Sequence, residues 1–157
     1  MASVMINGRQ KTKVCEGLAS VVTGTIEFSS RGDADVVRIT DDVAEALAQS
    51  GLRDGTVTVF APGATGAVTT IEFEPGVVHD LQQVLDEIVP PDRRWLHNVN
   101  NGDGNGHSHV RAGLLGPSLT VPFVDRRLTL GTWQEIVFCD LDVRPRERKL
   151  VVQVMGV

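Results

Sequence analysis

The chain opens its patterned region with a period of two. Between Ala19 and Ser29, Val22, Ile26 and Phe28 share one parity, which predicts a strand with one covered face. Gly32-Asp33 marks a turn, and Ala34–Arg38 can pair back as a second strand. The period then lengthens. Val43, Ala46 and Leu47 form a helical stripe, with Thr40 as N-cap, Asp41 and Asp42 in the electropositive first turn, and Gly51 at the C′ position. Gly55–Phe60 and Ala67–Glu72 predict two strands around an Ala-Pro-Gly-Ala-Thr-Gly loop. Pro75 begins a helix carrying Val77, Leu81, Leu85 and Ile88, and Pro90-Pro91 stops it. Asn105 is placed to cap a third helix bearing Val110 and Leu114, ended by Gly116 and Pro117. Ser118–Val124, Thr132–Asp140 and Glu147–Met155 predict three closing strands. The order ββ-α-ββ-α-α-βββ is an α+β pattern whose short connections favour mostly antiparallel pairing, and seven strands can close into a barrel that leaves no edge. Residues 1–12 are polar and unpatterned and predict a flexible N-terminal arm. Residues 13–157 contain no repeat or linker and read as a single domain.

Composition narrows the partners. Fifteen Lys and Arg against twenty Asp and Glu give a net charge of −5, with no basic run, so no electrostatic footprint for nucleic acid is expected. No apolar stretch approaches the roughly 18 residues that span a bilayer, and the first residues lack a basic-then-apolar leader pattern. A cytoplasmic protein with no membrane partner is the expectation. Cys15 and Cys139 are far apart, match no metal or redox spacing, and read as reduced, buried thiols.

Candidate chemistry concentrates between Leu96 and His109. Three of the four histidines, His97, His107 and His109, lie there among Asn98, Asn100, Asn101, Asp103 and Asn105. Imidazole is the commonest metal ligand and carries protons near neutrality; a polar Gly/Asn loop that happens to hold histidines is the plain alternative. On a regular helix His107 and His109 point roughly 200° apart, so at most one faces a given site. Gly102-Asp103-Gly104-Asn105-Gly106 ahead of a helix can accept an anion at free N–H groups, or can be a simple turn, and its third glycine is misplaced for a dinucleotide fingerprint. Glu72, at a strand end, is a general base, a metal ligand or a rim residue. Gln134 can fix a polar ligand, whereas Trp133 beside it reads as core. Arg144, Arg146 and Arg148 can grip phosphate or form a solvated turn. There is no G-x-S-x-G to support Ser-His-Asp chemistry.

From Gly55 to Gly156 the ordered motifs resemble the YjbQ-like family, often labelled secondary thiamine-phosphate synthase. They are a strand ending in Glu72 followed by Pro75 and Asp80-Leu81, then His97, then Asn105 and His109 ahead of Ala112, Leu114, Leu115 and Gly116. Leu130-Gly131-Thr132-Trp133-Gln134 and Arg146-x-Arg148 complete the series. The resemblance implies a mixed, mostly antiparallel seven-stranded β-barrel flanked by helices, assembled as a homotrimer. It also implies a transferase site joining a pyrimidine diphosphate to a thiazole phosphate. Glu72, His97, His109 and Gln134 would be its catalytic residues, with Asn105, Gly106, Arg111 and Arg148 binding phosphate. A divalent metal, zinc or magnesium, would sit on His97 and His109, with Glu72, Asp103 or His107 (the last outside the usual family pattern) completing the set, and no organic cofactor is expected. A non-catalytic trimeric binding protein for a metal or a small phosphorylated ligand is the alternative. One departure bears on both: the family's His-Thr-Thr is replaced here by Gly63, Ala64 and Thr65.

Overall fold

A computed structural model describes residues 3–6 and 10–157. In chain order the elements are β1 (Ser3–Ile6), β2 (Gln10–Lys13), β3 (Ser20–Ser30), β4 (Asp35–Arg38), α1 (Thr40–Ser50), β5 (Gly55–Phe60), β6 (Gly66–Ile71), α2 (Pro75–Ile88), α3 (Leu96–Asn101), α4 (Gly106–Leu115), β7 (Ser118–Val124), β8 (Arg127–Leu128), β9 (Glu135–Asp140) and β10 (Arg146–Gly156). The arm expected over residues 1–12 falls partly outside the described residues; its described part pairs β1 with β2.

All seven expected strands are present, as β3 to β7, β9 and β10, but hydrogen bonding divides them between two sheets. One sheet runs β3-β10-β5-β7-β8 and the other β4-β9-β6, and every ladder among the described residues is antiparallel. The result is a curled half-barrel. No ladder among the described residues joins the sheets into a closed barrel, and no parallel pair makes the sheet mixed, which corrects the expectation on both points.

The described residues form four helices, not three. The additional helix, α3, is six residues with two apolar positions, too short for periodicity to register. It is held by its ends. Trp95 Nε1 donates to the Pro90 carbonyl at 3.0 Å, and Gly102 closes the helix with φ near 72°.

β9 positions everything else. Its residues are buried on both faces, so it reads as a continuous apolar run rather than an alternation. Ile136 and Phe138 face the five-stranded sheet and α1, packing with Val43, Leu47, Val57, Leu150 and Val152. Val137, Cys139 and Leu141 face the other way, onto Leu85 of α2 and Ala112 of α4. Burial lifts the Cys139 thiol pKa to about 12, so it stays protonated and inert, while Cys15 is only partly buried. α1 starts where expected, but Thr40 does not cap it: its hydroxyl accepts from the Ile136 amide at 2.8 Å and ties the helix to β9. α2 is capped by Glu74, whose carboxylate accepts from the Gly76 and Val77 amides at 2.7 and 2.6 Å. No helix of the described residues is long and apolar enough to cross a membrane.

Candidate functional site

The β6–β9 ladder sets the geometry of the site. Gly66 pairs with Asp140 and Ile71 with Glu135, so the ladder has one end at Ala64 and Thr65 and another at Glu72 and Gln134. At the first end, α4 lays His109 against the β5–β6 loop, where Nδ1–H donates to the Ala64 carbonyl at 3.0 Å. That bond fixes the tautomer and leaves Nε2 as the ring's acceptor, the arrangement of metal-binding and proton-carrying histidines. The His97 ring stands against it, centroids 4.5 Å apart. His97 Nε2–H donates to Asn105 Oδ1 at 3.1 Å and lies 3.0 Å from Asp103 Oδ1, while Nδ1 accepts from Asn101 Nδ2 at 3.1 Å.

Those contacts explain the start of α4. Asn105 holds the N-cap position as predicted, yet its side chain makes no cap bond, because Oδ1 is committed to His97. Asn98 caps in its place, its Oδ1 accepting from the Gly106 amide at 2.7 Å. A Cβ at position 106 would stand 2.7 Å from Trp95 Cβ, so the close approach of α3 and α4 requires glycine there. With the Gly106 amide taken, the helix start offers an anion less than the sequence suggested.

Two clefts adjoin the imidazole pair. One, of about 210 Å³, is lined by Gly63, Ala64, Gly66, His109, Ala112, Gly113 and Pro117. The other, of about 260 Å³, runs between Asp103, Gly104 and Asn105 on one side and Asp142, Val143, Arg144 and Arg146 on the other. Beneath them lies a buried polar cluster. Arg148 donates through Nε (2.7 Å) and Nη2 to the fully buried Asp140 carboxylate, and through Nη2 to Thr65 Oγ1 at 3.2 Å. Ser30 Oγ and the Asp142 amide also donate to Asp140. Asp142 accepts from Arg146 Nε at 2.8 Å and Thr65 Oγ1 at 3.2 Å. Burial pushes the Asp142 pKa up, but Arg146, the Val143 amide and Thr65 outweigh it and hold the carboxyl below its ordinary value.

The remaining expected site residues lie elsewhere. Glu72 is exposed past the end of β6, and Gln134 donates Nε2 to Thr70 Oγ1 at 3.0 Å, both at the far end of the ladder from His109. From Gly66 to Ile71 alone the strand advances about 17 Å. The expectation of one cleft uniting Glu72 with the two imidazoles is therefore not met within a single chain. Trp133, expected in the core, is exposed in the turn before β9. His107 and Arg111 lie across α4 from His109, as the two-residue step requires. Arg111 donates to Asp86 Oδ1 and to the Val89 carbonyl, both at 2.7 Å. His107 is buried, its Nδ1 without a hydrogen-bond partner among the described residues; burial, and then the Arg111 charge, lower its pKa. Sequence reasoning passed over Asp140 and Asp142, whose placement at the end of an apolar strand was the available signal.

Against known proteins, a family model described as UPF0047 protein YjbQ-like matches residues 24–157. A UPF0047 protein of Methanothermobacter thermautotrophicus is 37% identical over 142 residues, covering 90% of this chain and 97% of that protein. The UPF0047 protein YugU of Bacillus subtilis is 31% identical over 134 residues, 84% of this chain and 98% of its own length. Among solved structures, a YbjQ-like protein of unknown function from Sulfolobus solfataricus superposes with a TM-score of 0.85 at 31% identity, covering 89% of this chain and all of that one. A hypothetical protein from Aeropyrum pernix gives 0.77 at 33% identity over 85% and 99%.

Proposed function

The chain belongs to the YjbQ-like UPF0047 family, and from that membership we propose that it is a small transferase acting on phosphorylated substrates, of the thiamine-phosphate synthase kind. The observation that carries the reading is the imidazole pair. His109 is tautomer-locked by Ala64, His97 stands 4.5 Å away, and a cleft bordered by Arg144 and Arg146 adjoins them. In the reaction, a thiazole ring nitrogen attacks the methylene of a pyrimidine methyl diphosphate. A C–N bond forms as the C–O bond breaks, and pyrophosphate leaves with the electron pair.

Arg144 and Arg146 hold the diphosphate in this scheme, Asn105 and Gly104 border it, and Arg148 supports the loop from below, whereas Gly106, expected to bind phosphate, has its amide taken by Asn98 and lies outside the cleft. His97 and His109 carry a proton to the departing oxygen or bind a metal. A divalent ion, zinc or magnesium, would be held by His109 Nε2, which is unspent, and by His97 Nε2 and Asp103 only once the His97 Nε2–H bond to Asn105 gives way, since no group of three ligands is assembled among the described residues. When bound, such an ion supplies charge neutralisation to the leaving group. Arg111 and His107 take no part, since they face the other side of α4.

Glu72, as base or ligand, and Gln134 join this site from a neighbouring copy in a homotrimer. The support is that each half-site carries exposed apolar side chains beside it, Trp133 next to Gln134, and Leu96 and Val99 around His97. Thiamine-phosphate formation by the purified protein tests the activity, and Glu72→Gln and His109→Ala should each abolish it. Equal mixing of the two variants with subunit exchange leaves each inter-subunit site a one-in-four chance of two intact halves, so about a quarter of wild-type activity should return. No recovery would refute the shared site, and full activity in both single variants would remove these residues from the chemistry.

A second reading, a non-catalytic trimeric binding protein for a metal or a small phosphorylated ligand, is favoured by one observation. Gly63, Ala64 and Thr65 stand where the family carries a histidine, beside the 210 Å³ cleft. Ligand-induced stabilisation without turnover would select it.

A further inference from the structure

A cavity lies across α4 from the imidazole pair. It measures about 420 Å³ and is lined by Arg31, Asp33, Asp35, Gln82, Asp86 and Arg111, together with the backbone of the β3–β4 turn. Both guanidinium groups are already compensated, Arg31 by Asp35 and Arg111 by Asp86, each at 2.7 Å. Asp33 is the one lining charge without an ion pair among the described residues, so the cavity carries a single net negative charge. Its unspent groups are mostly acceptors. Gln82 uses Nε2 on the Ala34 carbonyl at 2.9 Å, leaving Oε1, and Asp86 has only Oδ1 engaged.

Asp33 is held rigidly in place. Gly32, Asp33 and Ala34 have successive φ values of 76°, 55° and 59°, and a Cβ at Gly32 would stand 2.5 Å from the Arg144 carbonyl. The left-handed conformation is unfavourable for an L-residue, so two such residues persist only because the surroundings demand them. The Asp33 amide donates to the Asp142 carbonyl at 2.6 Å and the Asp35 amide to the Gly32 carbonyl at 3.1 Å. Behind the Arg111 wall lies His107, 5% exposed, its Nδ1 without a partner among the described residues. The charges that act on it, Arg111, Asp33 and Asp86, all belong to the cavity. A bare metal ion would need a tight shell of oxygen ligands, which a space this wide does not provide. An anion would meet compensated guanidinium groups and an uncompensated carboxylate.

We propose that this cavity binds a small organic cation bearing a primary ammonium or guanidinium group, paired with Asp33 and hydrogen-bonded to Gln82 Oε1 and Asp86 Oδ2. The assignment is independent of the proposed transferase site, which faces the other side of α4. It is tested on the full chain by NMR titration with ethylammonium and methylguanidinium chlorides. Tetramethylammonium, which has no N–H, and acetate serve as controls. The two N–H cations should shift the Gly32 and Ala34 amides and Arg111 Nε saturably, and the controls should leave them unmoved. Asp33→Asn removes the charge while asparagine tolerates the left-handed backbone, so the turn should survive; unchanged Val36 and Val37 amides check this. Affinity should fall at least about tenfold, as for loss of a charge-assisted hydrogen bond. Absence of saturable shifts, an equal response to tetramethylammonium, or unchanged affinity in Asp33→Asn would each overturn the assignment.

Discussion

Replacing Arg148 by alanine is the most informative single perturbation, because that side chain supports both the core and the candidate site. Its guanidinium donates twice to Asp140, which is completely buried, while Arg148 itself keeps about 12% side-chain exposure. The pair is therefore asymmetric. Removing the arginine strands a carboxylate that has no route to water, whereas removing the carboxylate leaves a cation near the surface. Loss of one partner from a buried pair costs about 3–5 kcal/mol. Ser30 Oγ and the Asp142 amide remain on Asp140, which places Arg148→Ala near the lower end, about 3 kcal/mol. The guanidinium also lies 5.6 Å from the Phe138 ring centroid, a contact worth a further ~0.5–1 kcal/mol. For a domain of this length each kcal/mol lowers Tm by about 2–4 °C, so a fall of roughly 7–16 °C is expected.

Calorimetry on Arg148→Ala, Asp140→Asn and the double variant measures both the size and the asymmetry. The double variant should be more stable than Arg148→Ala alone by about 1–2 kcal/mol, since it removes the stranded charge. An Arg148→Ala loss below about 1 kcal/mol, or a double variant less stable than the single one, would refute the assignment of Asp140 as a dependent buried charge. Thr65 would also lose its donor from Arg148, loosening the loop whose Ala64 carbonyl sets the His109 tautomer, so the His109 ring resonances should broaden in the same variant.

Two further predictions follow from α4. His107 has a folded-state pKa below its ordinary value, first through burial and then through Arg111; the unfolded chain therefore takes up the proton first as pH falls. Its contribution to stability is complete above about pH 6.5 and lost as pH drops through the lower folded value, so Tm should decline between pH 7 and 5 less steeply in His107→Gln than in the wild type, and parallel curves would refute this. Ser108 Oγ is buried with no hydrogen-bond partner among the described residues, so Ser108→Ala should raise Tm by a few degrees, about 1 kcal/mol; a lower Tm in thermal melts would show that the hydroxyl has a partner.

Most of the fold was legible because the elements announce themselves locally. β10 alternates Leu150, Val152 and Val154 inward, α2 begins at a proline, and α1 ends at a left-handed glycine. β9 was legible as a strand but not as a wall between two cores, because burial on both faces erases the alternation that would assign them. Capping was harder to read. Thr40 and Asn105 are good caps by type, yet both side chains serve tertiary partners, Ile136 and His97, and only the folded arrangement reveals that competition. The imidazole pair was half legible. The periodicity of α4 separated His107 from His109, but the approach of His97 depends on α3, a helix too short for any pattern to declare.

The separation of Glu72 from the imidazoles is a property of the ladder rather than of a loop. β6 is paired residue by residue with β9 from Gly66 to Ile71, and a paired strand cannot shorten without breaking its hydrogen bonds or slipping register. A slip of one residue would turn Val68 and Ala67 to each other's faces and expose both cores, at a cost far beyond what ligand contacts return. Loop motion in one chain therefore cannot bring the two groups together. A site that uses both must draw them from two chains, with the β6 end of one copy meeting the α3–α4 corner of another. Those are the surfaces where Trp133, Leu96 and Val99 are left exposed.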